Sequence, residues 1–399
     1  MSTARCRATF SRYASAAVTR CIVLASSLLA LAACATAEAA DGADAASNVI
    51  IPVGDSDDGG ARDAAQNVDA EAAPCAVGNL CRVPTALSFG GVTAMNGRSK
   101  NDVWASGVDV ADGVLIHWDG QQWSKLDFDV QLSDSSNPYR PGALLGIFLS
   151  PEAMWGAIDG NAIFRRELEL APGRVAFSNL SSYNAIMVDV AAVLEREDVY
   201  LIGRKYQTKT TRPLFGFNFE TGTLDNLPGP FFPGTNEEAE LTIRASFFVP
   251  NKALWLVGDQ GAVARYPMSS TGDGGAAASA FGRGVVLPVP SHTDLRAAWG
   301  HGEELWAAGR NGALLHFDGA EWRTEETGTR AMLNAIFGVS PNDIWAVGEA
   351  GTVLHFDGNT WSPVGVGGYS GNLKAIWGSA SDDVWIGGEG GMFHWGALQ

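Results

Sequence analysis

The chain has 399 residues, enough for one large domain or two average ones, and 46% of them are hydrophobic. A formal charge of −17 excludes a surface that seeks nucleic acid or anionic headgroups. Glycine marks turns, and tryptophan is a large hydrophobe seldom needed in quantity, so 48 Gly and 13 Trp together predict a repeated architecture.

The first 33 residues read as a targeting segment. Arg5, Arg7, Arg12 and Arg20 form a basic stretch without any acid, and Cys21 to Ala33 (CIVLASSLLALAA) is an apolar run too short to span a bilayer. It ends in Leu31-Ala32-Ala33-Cys34, which resembles the lipobox of bacterial lipoproteins. In that family signal peptidase II cuts before the cysteine, whose thiol carries a diacylglycerol and whose freed amine is acylated. The resemblance implies lipidation of Cys34 and, with Ala at position 35, an outer-membrane address on a side left open. The membrane would be met through the lipid alone, each buried CH₂ contributing about 0.8 kcal/mol. The alternative is an ordinary secretory signal, because Ala37-Glu38-Ala39 or Glu38-Ala39-Ala40 also satisfies the small-residue rule. Loss of the four arginines takes the formal charge from −17 to −21.

Residues 34–79 form the next predicted segment, an acidic disordered linker. From Ala35 to Pro74 it holds nine acids, one Arg and no aromatic residue, too little apolar surface to offset chain entropy. Asp55-Ser56-Asp57-Asp58-Gly59 mimics the start of a calcium loop but lacks the closing Glu, so it reads as a solvated acidic run. Cys75 and Cys81 are the even pair left after export and lipidation, and in an oxidising compartment they predict a disulfide. Two free thiols or a metal pair are the alternatives, although zinc would need two further ligands nearby.

From residue 80 to 399 the chain repeats. Leu333-Asn-Ala-Ile-Phe-Gly, Asp343-Ile-Trp345-Ala-Val-Gly348, Gly351-Thr-Val-Leu-His355-Phe-Asp-Gly358 and Trp361 make one unit, with near copies around Trp306 and Trp385. Weaker copies centre on Trp104, Trp155, Tyr200 and Trp255. Trp306, Trp345 and Trp385 stand 39 and 40 residues apart, the period of a four-stranded propeller blade. Each segment is short, rich in Val, Ile, Trp and Phe, and bounded by Gly or Asp, as strands are. The Asp-Gly pairs before Trp123, Trp322 and Trp361 suit two-residue type I′ turns. A lone blade exposes both apolar faces and must stack on neighbours. The fold class is therefore all-β, a single β-propeller of seven four-stranded blades, with Trp104, Trp155, Trp255, Trp306, Trp345 and Trp385 in the inter-blade core. The last unit stops at Trp395, one strand short, and Arg82 to Gly91 reads like Trp361 to Gly368. This predicts that the N-terminal strand completes the last blade and hides a sheet edge.

The unit Asp-Val-Trp-Ala-Val-Gly with Gly-Thr-Val-Leu-His-Phe-Asp-Gly-x-x-Trp resembles the BNR/YVTN-type propeller repeats of bacterial envelope lipoproteins. It is more distantly similar to the propellers of photosystem II assembly factors and of sialidases. The resemblance covers most of Val83 to Gln399 and implies fold rather than activity.

Four of the six His (His117, His316, His355 and His394) share one repeat position. Radial symmetry keeps them apart, so they read as packing residues and no metal is expected. The Asp at strand starts (Asp102, Asp198, Asp343 and Asp383) resembles the Asp-box, but the box's residue order is absent and they read as turn or cap groups. Phe231 and Phe232, among Pro228, Pro230 and Pro233, break the repeat and are the candidate contact residues. The irregular stretches Arg165 to Ser182, Gln207 to Leu241 and Pro267 to Asp294 are the candidate insertions on a contact face. Tyr139-Arg140-Pro141 faintly resembles a sialidase motif, but no partner arginines or Tyr/Glu pair can be assigned. No phosphate loop, nucleophile elbow or zinc-protease motif is present, and no cofactor is implied.

These features predict a monomeric, non-catalytic binding module of the cell envelope. Its partner would be a protein or glycan, and nucleic acid is not expected. A polysaccharide-acting hydrolase or lyase and a structural spacer are the alternatives.

Overall fold

Each repeat supplies four short β-rich segments separated by turns, and each folds into one antiparallel sheet. The computed structural model describes residues 79–85, 87, 90–109, 112–126, 144–149, 153–158, 162–167, 175–179, 185–193, 198–205, 214–218, 223–226, 229–250, 252–268 and 281–398. The chain divides into two units, Met1–Gly59 and Gly60–Gln399, and every described residue belongs to the second. The targeting segment, Cys34, Cys75 and nearly all of the acidic linker lie outside the described residues.

Among the described residues, seven four-stranded sheets follow one another along the chain. Their first strands are Gly90–Ser99, Leu144–Leu149, Ala185–Val193, Ile243–Val249, Leu295–His301, Leu333–Ser340 and Leu373–Ala380, opening blades 1 to 7. Every first strand packs against the first strands of the blades before and after it, and that of blade 7 packs against that of blade 1. The first strands therefore form a closed inner ring. The fourth strands of blades 1 to 6 lie at the outside, for example Trp361–Pro363 in blade 6.

Blade 7 obtains its fourth strand from the N-terminal end of the ring. Leu80–Arg82 pairs antiparallel with the third strand Gly391–Trp395, Leu80 opposite Trp395 and Arg82 opposite Phe393. The Val83 amide continues the ladder to the Met392 carbonyl at 2.8 Å. The closing strand thus lies two residues earlier than the expected Arg82 start. Val83 matches Val364, whose amide bonds the Val353 carbonyl at 2.9 Å in the same way. A shift of two keeps every side chain on its expected face, because the side-chain period of a strand is two.

The core consists of layers between blades. Trp104, Trp155, Trp255, Trp306, Trp345 and Trp385, each on the second strand of its blade, are at most 4% exposed. A buried tryptophan removes roughly 200 Å² from water, about 5 kcal/mol at 25 cal/mol per Å². Trp118 and Trp123 of blade 1 pack on Trp385 of blade 7, with ring centroids 4.8 and 5.1 Å away, so the seam has the same aromatic layer as other junctions. Trp299 of blade 5 lies over Gly338 of blade 6, where an added Cβ would approach its ring to 2.4 Å.

The turns differ from the sequence expectation in one respect. Asp119-Gly120, Asp318-Gly319 and Asp357-Gly358 do not make two-residue type I′ turns, because only the glycine takes positive φ. In each four-residue loop the aspartate carboxylate accepts from the amides two and three residues on, as Asp357 does from Asn359 and Thr360 at 2.9 Å each. The primed conformation instead occurs between second and third strands. There Asn311 and Gly312 (φ 58° and 69°), like Ala350 and Gly351 (53° and 67°), are both left-handed.

Two of the stretches expected to be irregular meet at blade 4. Its fourth strand is only Val285–Val286. Phe231 lies parallel to Val285, and its backbone bonds Gly284 and Val286 at 2.9 Å each, which covers the blade's outer edge. The expected irregular stretches also contain regular strands, Val175–Asn179 in the first and Leu214–Asn218 and Thr223–Asn226 in the second.

Candidate functional site

In blades 1, 6 and 7 the repeated histidine and aspartate form one structural cluster, and in blade 5 the histidine meets a glutamate instead. His117 stacks on Trp104 at 4.0 Å, His316 on Trp306 at 4.1 Å and His355 on Trp345 at 4.1 Å. His394 packs on Trp385 at 4.4 Å with its plane tilted. Asp102 accepts from His117 Nε2 and Trp104 Nε1, both at 2.8 Å. Asp343 accepts from His355 Nε2 at 2.8 Å and Trp345 Nε1 at 3.0 Å, and Asp383 meets His394 Nε2 at 2.7 Å. Asp102, Asp343 and Asp383 are therefore not turn caps: they anchor an imidazole, and in blades 1 and 6 also an indole, inside their own blade, while the side chain of Asp198 lies outside the described residues. Burial pushes the Asp102 carboxyl up, but hydrogen bonds from His117, Arg98 and Trp104 outweigh it and hold its pKa below the usual value.

A second arrangement was not singled out from the sequence. Near the start of the first strand, blades 1, 4, 5, 6 and 7 each carry a bulge, at Thr93, Arg244, Arg296, Asn334 and Lys374. A bulge interrupts the ladder and re-aims the side chain: Arg244, Arg296 and Lys374 reach the turns between second and third strands, whereas Thr93 bonds the Ser106 carbonyl at 3.2 Å and Asn334 the Leu373 carbonyl at 2.9 Å. Arg244 grips Asp259 with Nε and Nη2 at 2.9 and 2.7 Å, and Arg296 of the next blade reaches the same carboxylate at 2.8 Å. Asp294 accepts from the Gln260 amide at 3.0 Å and lies 3.4 Å from Arg310 Nε. Two blades on, Lys374 meets Glu389 at 3.0 Å, and Asn372 donates to the same carboxylate at 3.3 Å. Burial raises the pKa values of Asp259 and Glu389, but the arginines and Lys374 respectively outweigh it, so both carboxyls are held below their ordinary values.

In blades 4, 5 and 7 this places paired cations and anions on one rim where neighbouring first strands meet, while in blade 6 the bulge residue Asn334 donates to the Leu373 carbonyl at 2.9 Å. Arg310 is about half exposed, and Lys374 and Glu389 are 29% and 35% exposed at their side chains, so the rim is open to a ligand. At the seam it adjoins a cleft of about 240 Å³ lined by Arg82, Val83, Leu87, Val92 and Met392.

Phe231 and Phe232 play different parts. The Phe231 ring lies 3.8 Å beneath the Arg283 guanidinium and its backbone joins the edge of blade 4, so it packs. Phe232 is 42% exposed. Cys81 is half-buried and makes no disulfide among the described residues, while Cys75, its expected partner, lies outside them.

No known family model matches the sequence, and no curated protein does. Solved structures do. YCF48 from Cyanidioschyzon merolae superposes with a TM-score of 0.57 at 14% identity, over 80% of this chain and 99% of that one. A structure of YCF48 bound to D1 peptide gives 0.53 at 14%, over 81% and 98%. A catalytically inactive virginiamycin B lyase from Staphylococcus aureus with quinupristin gives 0.57 at 14%, over 79% and 98%. Identities this low speak to fold alone. Together with the cyclic packing of the first strands and the sheets' common four-stranded order, they identify the described part of the chain as a β-propeller.

Proposed function

We propose that the chain is a non-catalytic binding module of the cell envelope that holds a protein partner against the charged rim of blades 4 to 7. The observation that carries this reading is the bulge register, which places Arg244, Arg296 and Lys374 at one repeat position, Arg244 and Arg296 sharing Asp259, Lys374 paired with Glu389, and Asp294 beside Arg310. Interlocked cations and anions fix one another's rotamers, and a pre-ordered polar surface loses less entropy on binding. The pairing also disfavours acid–base catalysis at the rim. Asp259 is held ionised by two arginines and Glu389 by Lys374, whereas a glycosidase acid must keep its proton near neutrality. A propeller of similar fold was solved with a bound peptide, which agrees with a protein ligand.

The test is photo-crosslinking from Arg310 and Lys374 in the native envelope, then reconstitution with the identified protein. Binding should weaken at least tenfold in Arg310→Glu and Lys374→Gln, each variant still unfolding cooperatively in urea. No adduct from either position, or release of sugar fragments from envelope polysaccharide, would replace this reading with the spacer or the hydrolase.

Export and lipidation at Cys34 belong to the same proposal. Supporting them are the basic stretch, the apolar run and Leu31-Ala32-Ala33-Cys34. Tritiated palmitate should label the wild type and not Cys34→Ser. A mature N-terminus following Ala39 or Ala40, without label, would indicate the ordinary secretory signal.

A further inference from the structure

We infer that the hairpin from Pro230 to Ala239, on the outer edge of blade 4, docks a second protein segment that is aliphatic at its centre and basic on both flanks. This goes beyond the rim reading and does not depend on it. Phe232 is the one large hydrophobe in the exposed class among the described residues. Scattered single hydrophobes are ordinary on surfaces, but this one stands on an unusually well-held support. Its amide bonds the Glu237 carbonyl and its carbonyl accepts from the Thr235 amide, both at 3.1 Å. The Thr235 hydroxyl caps the same carbonyl at 3.1 Å, and the Ala239 amide closes the hairpin onto Pro230 at 2.7 Å. From the blade, Arg283 lies over Phe231, donates to the Asn236 side chain at 3.0 Å and bonds the Thr235 carbonyl. Phe232 is therefore presented by a braced loop, the condition under which an aromatic anchor loses least entropy on binding.

Charge selects the partner. Glu237, Glu238 and Glu240 are exposed on the returning arm of this hairpin and just after it, Glu237 opposite Phe232 and Glu238 opposite Phe231, and they make no ion pair among the described residues, since Arg283 is directed to a ring, a carbonyl and an amide. Unpaired carboxylates on the same hairpin as an exposed apolar ring favour Lys or Arg flanking aliphatic side chains. They oppose a second copy of this chain, which carries −17 overall, and they oppose an anionic bilayer.

The probe is a phage-displayed library of random dodecapeptides panned on the full chain, with the enriched consensus then synthesised. The consensus should carry Lys or Arg on both sides of Leu, Ile or Met. Phe232→Ser should weaken its binding at least tenfold while leaving the urea midpoint unchanged. The triple variant Glu237→Gln/Glu238→Gln/Glu240→Gln should weaken it severalfold and flatten its salt dependence. Arg310→Glu, at the rim, should leave it unchanged, so failure here is separable from failure of the rim. No enrichment, a neutral or acidic consensus, a glycan displacing the peptide at Phe232, or indifference to Phe232→Ser would each overturn the inference.

Discussion

Removing the blade carboxylates one at a time should grade their cost by how each is held. In Asp343→Ala two donors lose one acceptor: Trp345 Nε1, in a residue fully buried, and His355 Nε2, in a side chain 27% exposed. A stranded buried donor costs about 1–3 kcal/mol, and water restores part of the loss at the histidine, so the expected total is about 2–3 kcal/mol. In blade 5 the same position is Glu304, 39% exposed and 3.4 Å from His316. An open, long pair contributes about 0–1 kcal/mol, and Glu304→Ala should cost less than about 1 kcal/mol. Urea unfolding followed by tryptophan fluorescence, with equal slopes required across the series, measures both. In a domain of this size each kcal/mol corresponds to roughly 2 °C in Tm, so Asp343→Ala should melt about 4–6 °C lower. Equal costs at Asp343 and Glu304, or less than about 0.5 kcal/mol at Asp343, would refute the claim that the aspartates hold their blades together.

Acid should act through the same kind of group. Asp102 and Asp259 have folded pKa values below their unfolded ones, so their stabilisation is complete above about pH 4 and is lost as pH falls through the folded values. Urea midpoints between pH 5 and 2 should fall, less steeply in Asp259→Asn. Ala350 holds φ 53° in the turn of blade 6, a region costing a non-glycine residue about 1 kcal/mol. Ala350→Gly should therefore raise stability by about 0.5–1 kcal/mol in the same assay. Gly338→Ala would drive a methyl into the Trp299 ring, and an overpacked junction should cost about 1–3 kcal/mol.

Much of the fold is legible because a blade cannot bury itself, so the repeat spacing and the second-strand tryptophans carry the architecture. The closing strand lies two residues from its expected place because Pro84 aligns by identity with Pro363, whereas the ladder hydrogen bonds align Val83 with Val364. The hairpin turns were misplaced because Asp-Gly is a type I′ signature only while the aspartate side chain is idle. Here it accepts two amides and makes a longer loop. The rim was illegible from local pattern, since a bulge is a relation between two strands. The remaining trace was variation of Arg, Asn and Lys at one position, between a constant Leu and a constant Ala, in Leu295-Arg296, Leu333-Asn334 and Leu373-Lys374. The edge hairpin joins residues more than fifty positions apart, Phe231 and Val285, which no periodicity predicts.

The ring's closure is tested most directly by comparing the thermal unfolding of two chains, one beginning at Asn79 and one at Pro84, which differ only in the strand Leu80–Arg82 and its two flanking residues. The chain from Asn79 should melt with the full-length protein, while the chain from Pro84 should melt several degrees lower and exchange its Gly391–Trp395 amides quickly. Identical melting and identical exchange in the two would contradict a ring fastened by its first strand.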